Sequence, residues 1–280
     1  MKKKFKPLIS QIVEVYIDDI VVKSKTKSEH ALHLEETFRL MRSYSMKLYL
    51  SKCAFCISMG KFMGFMVTQI GIEVNPDQIR VVMEMSALSN KELQRLMGRL
   101  VALGRFIARF IDKLWPFFLA LKGENTTRWT NDCKQALEKI KRYLTQPSIL
   151  SCLEPGEQLY MYLATSDCVV SVVLIRHMKD KEQRSIYYVS KAMVGVETRY
   201  FKMEQTTLAL KSATQKLRSY FQAHQVTMLT NQPLRSILHR LDLSKRMLKW
   251  AIELSEYEIK YQPRLALKRH VMADFITEVP

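Results

Sequence analysis

A pair of adjacent carboxylates between two short apolar segments is the most constraining feature of this sequence. The segments run from Val13 to Ile17 and from Ile20 to Val22, both are rich in β-branched residues, and Asp18 and Asp19 separate them. This pattern predicts a β-hairpin whose two-residue turn is Asp18-Asp19. Two neighbouring carboxylates repel each other unless a cation lies beside them, so the pair indicates a metal site. The alternative is an ordinary Asp-Asp turn.

The segments after this hairpin predict helices and one further hairpin. A helix is expected from Ser28 to Tyr44, with Ser28 as its N-cap. Residues Lys61 to Val74 are expected to form a hairpin that turns at Gly71, and Pro76 is expected to open a helix. Apolar residues at helical spacing from Lys91 to Ile111 predict another helix, and thus a small all-helical domain.

From Trp129 onward the pattern becomes a mixture of helices and strands. One amphipathic helix, Trp129 to Leu144, is followed by an order of three strands, helix, strand, helix and strand, which is typical of a mixed α/β domain. The expected bounds are Leu159 to Ala164, Val169 to Arg176 and Arg184 to Ser190 for the three strands, Met203 to Ala223 for the helix, Val226 to Thr230, Leu248 to Ser255 and Tyr257 to Tyr261 for the next three elements, and Met272 to Ile276 for a last helical turn.

Both halves of the chain are basic. The 122 residues up to Lys122 contain 20 basic and 11 acidic residues, and the remainder contains 24 and 16, which gives a formal net charge of +17. Charge spread in this way favours an extended positive surface, whose commonest partner is a phosphate backbone, although a generally basic protein is the alternative. The five cysteines suggest no disulfide framework and favour a reducing compartment, and no apolar run is long enough to span a bilayer.

The motifs together resemble the Pol polyprotein of gypsy-type LTR retrotransposons, especially those of plants. Tyr16 to Asp19 is similar to the Y-x-D-D box of reverse transcriptases, Phe62 to Ile72 to the primer-grip hairpin, and Asn75 to Lys122 to the thumb. Trp129-Thr130 and the Ala136-Leu137 helix resemble the connection segment. Tyr187 to Ala192 resembles a stretch inside the ribonuclease H-like domain.

This resemblance implies an α+β and α/β multidomain chain, in which a partial reverse transcriptase palm with a helical thumb precedes a ribonuclease H-like α/β domain. The expected parts are the C-terminal part of the palm at 1–75, the helical thumb at 76–122, a connection at 123–155 and the ribonuclease H-like domain at 156–280.

For the polymerase, the resemblance implies that Asp18 and Asp19 are metal ligands and that Tyr16 is a residue of the box. The expected cofactor is Mg²⁺, which nucleotide addition requires. The family has a further Asp on an upstream palm strand, beside the fingers, and the sequence is expected to start after both. The 280-residue chain alone is therefore expected to bind Mg²⁺ weakly and to extend no primer.

For the ribonuclease H-like domain, the resemblance implies two retained and two lost acidic positions. Glu204 and Asp274 match acidic positions of the family, whereas Ala164 and Asn231 occupy positions where the family has Asp. Asp167 is a poor substitute, because three residues along a strand displace a side chain by about 10 Å and onto the opposite face. The domain is expected to fold without cleaving hybrid, and restoring Asp at 164 and 231 together is expected to raise its Mg²⁺ affinity.

Two functions therefore remain open at the level of sequence. One is a part of a reverse transcriptase and ribonuclease H that acts with primer-template and RNA/DNA hybrid, alongside the other domains of the Pol polyprotein and inside the cell, without contact with a membrane. The other is a non-catalytic nucleic-acid-binding tether, or a decayed remnant of a retroelement. The lost acids favour the second, and the intact Asp18-Asp19 pair favours the first.

Overall fold

The structure is a computed structural model that describes most of the 280 residues. The described ranges are 3–9, 11–55, 57, 59–68, 70–85, 90–122, 129–146, 149–154, 156–178, 182–240 and 243–264. The chain divides into two compact units, Met1–Gln69 and Ile70–Pro280. No helix among the described residues is both long and apolar enough to cross a membrane.

The first unit begins with the expected hairpin, which turns one residue earlier than expected. Strands β1 (Val13–Tyr16) and β2 (Asp19–Val22) are antiparallel, and Tyr16 pairs with Asp19. The two-residue turn is therefore Ile17-Asp18 and not Asp18-Asp19. The reason lies in the register: it places Val13 and Val15 on the buried face, where their side chains are at most 5% exposed.

Helix α1 (Lys27–Ser43) covers this hairpin, and its N-cap is Thr26 and not the expected Ser28. Thr26 accepts the backbone N–H of Glu29, and the Glu29 carboxylate accepts the backbone N–H of Thr26, so the two residues form a capping box. A Glu three residues after a Thr is the signal that fixes this cap. The core of the unit consists of apolar residues from the N-terminal segment, the hairpin and the helix: Phe5, Leu8, Val13, Val15 and Met41.

A second hairpin follows in the first unit, after a short 3₁₀ turn at Leu50–Lys52. It consists of β3 (Gly60–Phe62) and β4 (Phe65–Val67), and it turns at Met63-Gly64, not at the expected Gly71. Met63 and Gly64 both have positive φ, 51° and 79°. Two consecutive residues with positive φ match the twist of a tight hairpin, and glycine adopts this conformation without strain.

The second unit opens with a strand and four helices. Strand β5 (Gly71–Val74) leads to α2 (Pro76–Met83), which Pro76 opens as expected with Asn75 as N-cap. Helices α3 (Asn90–Leu103), α4 (Phe110–Lys122) and α5 (Asn131–Thr145) follow, and Thr130 caps α5. Strand β6 (Leu150–Ser151) then pairs antiparallel with β5.

The helix expected from Lys91 to Ile111 is interrupted. It ends at Leu103, a 3₁₀ turn covers Gly104–Phe106, and Arg109 has a φ of 50°. The break lets both flanking helices bury apolar residues, and it is stabilised by Arg109, which is 6% exposed and pairs with Asp112 at 3.0 Å. Helix α4 is tied to the rest of the unit by a hydrogen bond of 3.2 Å from the Ile111 backbone N–H to the Ser190 hydroxyl.

The centre of the second unit is a five-stranded sheet. Its strands are β7 (Leu159–Thr165), β8 (Val169–His177), β9 (Gln183–Ala192), β10 (Val226–Leu229) and β11 (Ile259–Gln262). Their order is β11-β10-β7-β8-β9, in which β7, β8 and β9 are antiparallel while β10 is parallel to both β7 and β11. The mixed α/β order predicted from sequence is confirmed.

Four helices accompany this sheet in the part of the chain that the structure describes. The helix expected from Met203 to Ala223 is divided at Leu217 into α6 (Lys202–Lys216) and α7 (Arg218–Ala223). The short helix α8 (Leu234–Leu238) was not expected, and α9 (Lys245–Ser255) begins three residues before its expected start. Leu208, Ala209 and Trp250 pack in a core cluster with the apolar residues of the sheet. The helical turn expected at Met272 to Ile276 lies outside the described residues.

The pairing of β5 with β6 yields a stability prediction. A Cβ atom added at Gly71 would lie 2.0 Å from the carbonyl oxygen of Leu150, so Gly71→Ala must separate the two strands. We expect a loss of about 2 kcal/mol or more and faster hydrogen exchange in residues 71–74.

Gly98→Ala is the matched control, since the added Cβ would meet nothing within 4 Å on an exposed helix surface. We expect it to stabilise the chain by up to about 1 kcal/mol. Urea denaturation and hydrogen exchange measure both variants. Equal stability of Gly71→Ala and the unmodified chain would refute this account of the close approach.

Candidate nucleic-acid interface and metal positions

The first candidate position is the tip of the hairpin formed by β1 and β2. Asp18 lies in the turn, Asp19 begins β2, and both are exposed. Ile17, also in the turn, has a φ of 51°. Such a conformation is strained for a β-branched residue and costs on the order of 1–3 kcal/mol. The first unit thus holds an acidic pair at a strained turn.

The base of the hairpin is anchored in the core of the first unit. Val13 and Val15 are buried against Phe5 and Met41, while Tyr16 and Ile17 remain 42% and 69% exposed. The alternation of buried and exposed residues along β1 fixes the register, and with it the direction of the tip. The sequence therefore keeps the acids in solvent at a defined position.

Two carboxylates are the kind of ligand that Mg²⁺ prefers, but a stable site needs more of them. The described residues contain no group of three or more His, Cys, Asp or Glu side chains that could hold a metal ion. Asp18 and Asp19 thus fit part of a divalent metal site and would need further ligands to complete it.

The second candidate position is a cleft at one edge of the five-stranded sheet. Strands β7 and β10 are parallel neighbours, so their C-terminal ends meet at this edge. The N-terminus of α6 lies beside them. The cleft has a volume of about 200 Å³. It is lined by Leu163, Ala164, Thr165, Lys202, Thr206, Thr230, Gln232 and Arg264.

Arg264 connects the two strand ends in this cleft. Its Nη2 donates to the carbonyl oxygen of Leu163 at 2.6 Å, and its Nε donates to the carbonyl oxygen of Leu229 at 3.4 Å. Its backbone N–H donates to the side-chain oxygen of Asn231 at 2.9 Å. Burial lowers the pKa of the Arg264 guanidinium, yet a guanidinium stays protonated at neutral pH.

Lys202 adds a second positive charge to the cleft. Its ammonium group donates to the carbonyl oxygen of Thr165 at 2.9 Å. None of the eight described residues that line the cleft is acidic. The described lining of the cleft therefore carries two positive charges and no carboxylate, which is the opposite of what a pair of divalent metal ions requires.

Glu204, a retained acidic position by sequence, points elsewhere. Its Oε2 accepts the backbone N–H of Phe201 at 3.2 Å, and its Oε1 forms an ion pair with Arg246. The Arg246 guanidinium also lies 3.9 Å from the centre of the Tyr200 ring. Thr206, two residues along α6 from Glu204, lines the cleft instead, because two residues rotate a helix by about 200°.

The remaining sequence-predicted residues of the ribonuclease H-like domain differ in their relation to the cleft. Ala164 lines it, and Asn231 contacts it through the backbone of Arg264. Asp167 is exposed in the turn between β7 and β8 and does not line it. Asp274 lies outside the described residues. Among those described, the structure therefore brings Ala164 and Asn231 to Arg264, but not Glu204 or Asp167.

The residues that give the cleft its charge, Lys202 and Arg264, were missed by the sequence reasoning. Lys202 is the first residue of α6, the helix that carries Glu204, and Arg264 lies two residues after the end of β11. A search for missing acids does not detect newly present bases. The sequence does contain a signal for them. Each is a basic residue at or near the end of a helix or strand that lies close to positions already assigned to the site.

Two family models match the chain. The model described as "Reverse transcriptase (RNA-dependent DNA polymerase)" matches residues 1–67, which include the hairpin with Asp18 and Asp19. The model described as "RNase H-like domain found in reverse transcriptase" matches residues 129–228, which include most of the five-stranded sheet and α6.

Similar curated proteins are retrotransposon polyproteins. The chain is 26% identical over 261 residues to the Transposon Tf2-3 and Tf2-4 polyproteins of Schizosaccharomyces pombe. The match covers 90% of the chain but only 19% of either relative, so the chain spans about a fifth of the length of these proteins.

Similar solved structures are those of a foamy viral protease-reverse transcriptase. The structure of its dRH form in complex with double-stranded DNA matches with a TM-score of 0.78 at 21% identity, over 96% of this chain and 48% of that one. The complex with an RNA/DNA hybrid matches with a TM-score of 0.78 at 22% identity, over 95% and 37%. These likenesses establish the fold.

Residues 1–67 are thus similar to reverse transcriptases, and residues 129–228 are similar to the ribonuclease H-like domain found in reverse transcriptases. The chain as a whole is similar to about a fifth of the Tf2 polyproteins. The resemblance inferred from its motifs and the predicted fold class are both confirmed.

The charges of the cleft alter the expectation for restoring its acids. In Ala164→Asp/Asn231→Asp, the two new carboxylates are offset by Lys202 and Arg264. We therefore expect no measurable gain in Mg²⁺ affinity from this pair of changes. Adding Arg264→Ala and Thr206→Glu leaves an excess of two negative charges at the cleft, and we expect this fourfold variant to bind Mg²⁺.

Titration calorimetry with MgCl₂ measures both variants, and thermal melting verifies that each is folded. Cleavage of a labelled RNA/DNA hybrid by the unmodified chain is measured in parallel and is expected to be absent. Strong Mg²⁺ binding by the twofold variant, or hybrid cleavage by the unmodified chain that Glu204→Gln abolishes, would show that the cleft is not the cationic position described.

Proposed function

We propose that this chain is the part of a retroelement reverse transcriptase that carries the metal-binding hairpin of the polymerase and holds nucleic acid on a ribonuclease H-like domain without cleaving it. The observation that carries the proposal is the exposed Asp18-Asp19 pair on a strained hairpin tip, within the segment that matches reverse transcriptases. Because buried strands fix the base of the hairpin, both carboxylates are presented to solvent, where a divalent cation can reach them.

Tyr16, Asp18 and Asp19 take the polymerase roles in this proposal. The two carboxylates would bind a divalent metal together with ligands from elsewhere in the polymerase, and Tyr16 pairs across the hairpin with Asp19. Both matched families generally use divalent metal. We propose Mg²⁺ in particular, because hard oxygen ligands and phosphate substrates suit it.

The proposed partners are primer-template and RNA/DNA hybrid. The positive charge of the chain supports this, because both halves carry an excess of Lys and Arg. The foamy viral protein of the same fold was solved with double-stranded DNA and with an RNA/DNA hybrid. Other domains of the Pol polyprotein are further proposed partners, and the proposed location is inside the cell.

The proposed assignment of parts to the chain follows the boundaries expected from sequence. Residues 1–75 would be the C-terminal part of the palm, 76–122 the thumb, 123–155 the connection and 156–280 the ribonuclease H-like domain. In the structure, Ile111 of α4 donates to Ser190 of β9, so the proposed thumb and ribonuclease H-like domain contact each other within one compact unit.

A second candidate is a non-catalytic binding module, either a tether or a remnant. The specific observation in its favour is the cleft itself, whose described lining has two bases and no acid. This candidate and the first agree on nucleic-acid binding. They differ in whether Asp18 and Asp19 support polymerisation in the longer polyprotein.

The binding prediction is that RNA/DNA hybrid and double-stranded DNA both bind in a salt-dependent way. Each phosphate neutralised by Lys or Arg releases a counterion, so log affinity should fall linearly with log salt with a slope of about −0.9 per phosphate contact. Fluorescence anisotropy of labelled duplexes between low and moderate salt measures this slope.

Asp18→Asn/Asp19→Asn and Glu35→Gln/Glu36→Gln are matched variants, because each removes two exposed negative charges from the first unit. Without divalent metal, we expect both to bind hybrid with equal or slightly higher affinity than the unmodified chain. Absence of binding at low salt, or an affinity that is independent of salt, would refute the proposed function.

A further inference from the structure

The cleft at the C-terminal ends of β7 and β10 has a charge and a donor set that suit an anion. We propose that it binds one backbone phosphate of a nucleic acid strand without any metal, with Arg264 and Lys202 as the ligands. The inference rests on the proposed function, since it names the position at which the domain holds its strand.

The donors needed for a phosphate are present in the cleft. A guanidinium has five N–H donors, and Arg264 uses two of them for the carbonyl oxygens of Leu163 and Leu229. Its Nη1 makes no hydrogen bond to a described residue. An ammonium group has three donors, and Lys202 uses one of them for Thr165. Several donors on two positive groups therefore remain for a ligand.

These bonds also hold the two groups in a defined arrangement. Arg264 is tied to the ends of β7 and β10, which are fixed by the ladder of the sheet. Lys202 is tied to the last residue of β7. A guanidinium held in this way loses little rotamer freedom on binding, and planar Arg groups match the oxygen atoms of a phosphate.

The acids of the described residues near the cleft do not neutralise it. Glu204 is paired with Arg246, and Asp112 is paired with Arg109 and accepts the hydroxyl of Ser166 at 2.8 Å. Asp167 is exposed and outside the lining. The charge that these described residues leave at the cleft is therefore positive, and it would repel Mg²⁺ while attracting phosphate.

The cleft contains one further polar atom without a hydrogen-bond partner among the described residues, the side-chain oxygen of Gln232. This oxygen is buried. It lines the same cleft as Arg264 and Lys202. A ribose 2′-hydroxyl beside the bound phosphate could donate to it, and the amide group, turned about its last bond, would donate to the phosphate. Both arrangements suit a nucleotide.

The test compares two twofold variants of the full chain with equal changes of charge. Lys202→Gln/Arg264→Gln removes the two cleft cations. The control Lys216→Gln/Arg218→Gln removes one exposed Lys and one exposed Arg at the far end of the same helix and just beyond it, with Lys216 about 21 Å from Lys202 along α6. Binding of labelled RNA/DNA hybrid and of double-stranded DNA is measured in EDTA over a range of salt.

We expect the cleft variant to lose about tenfold in hybrid affinity, and its salt slope to decrease by about one. The control should lose no more than about twofold. Binding of the unmodified chain should persist in EDTA, since no metal is involved. Lys202→Gln alone changes an exposed side chain and should show a smaller loss of hybrid affinity. If thermal melting shows that the change at Arg264 unfolds the domain, this single variant tests the inference instead.

Other outcomes separate this inference from the proposed function. If the chain binds hybrid but both twofold variants lose affinity equally, or neither does, the cleft is not the phosphate site while the proposed function stands. If the chain binds no hybrid, the proposed function itself fails. The last arm measures the binding of inorganic phosphate by ³¹P NMR. If the unmodified chain binds phosphate saturably and the cleft variant does not, while the cleft variant keeps its full hybrid affinity, the cleft binds free phosphate and the inference is overturned.

Discussion

The hydrogen bonds from the Arg264 guanidinium to the carbonyl oxygens of Leu163 and Leu229 connect the ends of two parallel strands at the edge of the central sheet. In a two-metal nuclease, bound metal ions supply the positive charge of the site. Here a protein side chain supplies positive charge at the strand ends. It also satisfies the backbone carbonyl oxygens of Leu163 and Leu229, so this arrangement of the strand ends needs no metal ion.

The two candidate positions have opposite charge. The hairpin tip of the first unit presents Asp18 and Asp19 to solvent, and the cleft of the second presents Lys202 and Arg264. The acidic pair suits a cation, whereas the cleft suits an anion such as a phosphate. In the proposal, one position therefore serves metal-assisted chemistry and the other holds nucleic acid, and the charge of the cleft is the reason that we expect no cleavage there.

The sequence predicted the elements better than their ends. The alternation of Val13 and Val15 with less buried residues is typical of a strand, and the first hairpin was predicted. Its turn was predicted one residue too late, because Asp is common in turns whereas a β-branched residue such as Ile17 is not. Strain of this kind is set by the buried register and is not visible in local preference. The N-cap of α1 is likewise Thr26 and not the expected Ser28, because Glu29 completes a capping box with Thr26.

The site was predictable only in part, for a similar reason. Ala164 and Asn231 were located by motif, and the structure brings both to Arg264. Glu204 was assigned from the same kind of match, but the phase of α6 turns it toward Arg246 and turns Thr206 toward the cleft. Two residues along a helix rotate the direction of the side chain by about 200°, so a small error in the sequence match assigns a residue on the opposite face.

The most direct measurement is a crystal structure of the chain with an RNA/DNA hybrid in the presence of Mn²⁺, with anomalous scattering used to locate the metal. We expect a backbone phosphate within hydrogen-bond distance of the Arg264 and Lys202 side chains and no anomalous peak in the cleft. An Mn²⁺ ion coordinated between the ends of β7 and β10, with Arg264 displaced, would contradict the central claim that a protein cation has replaced the metal.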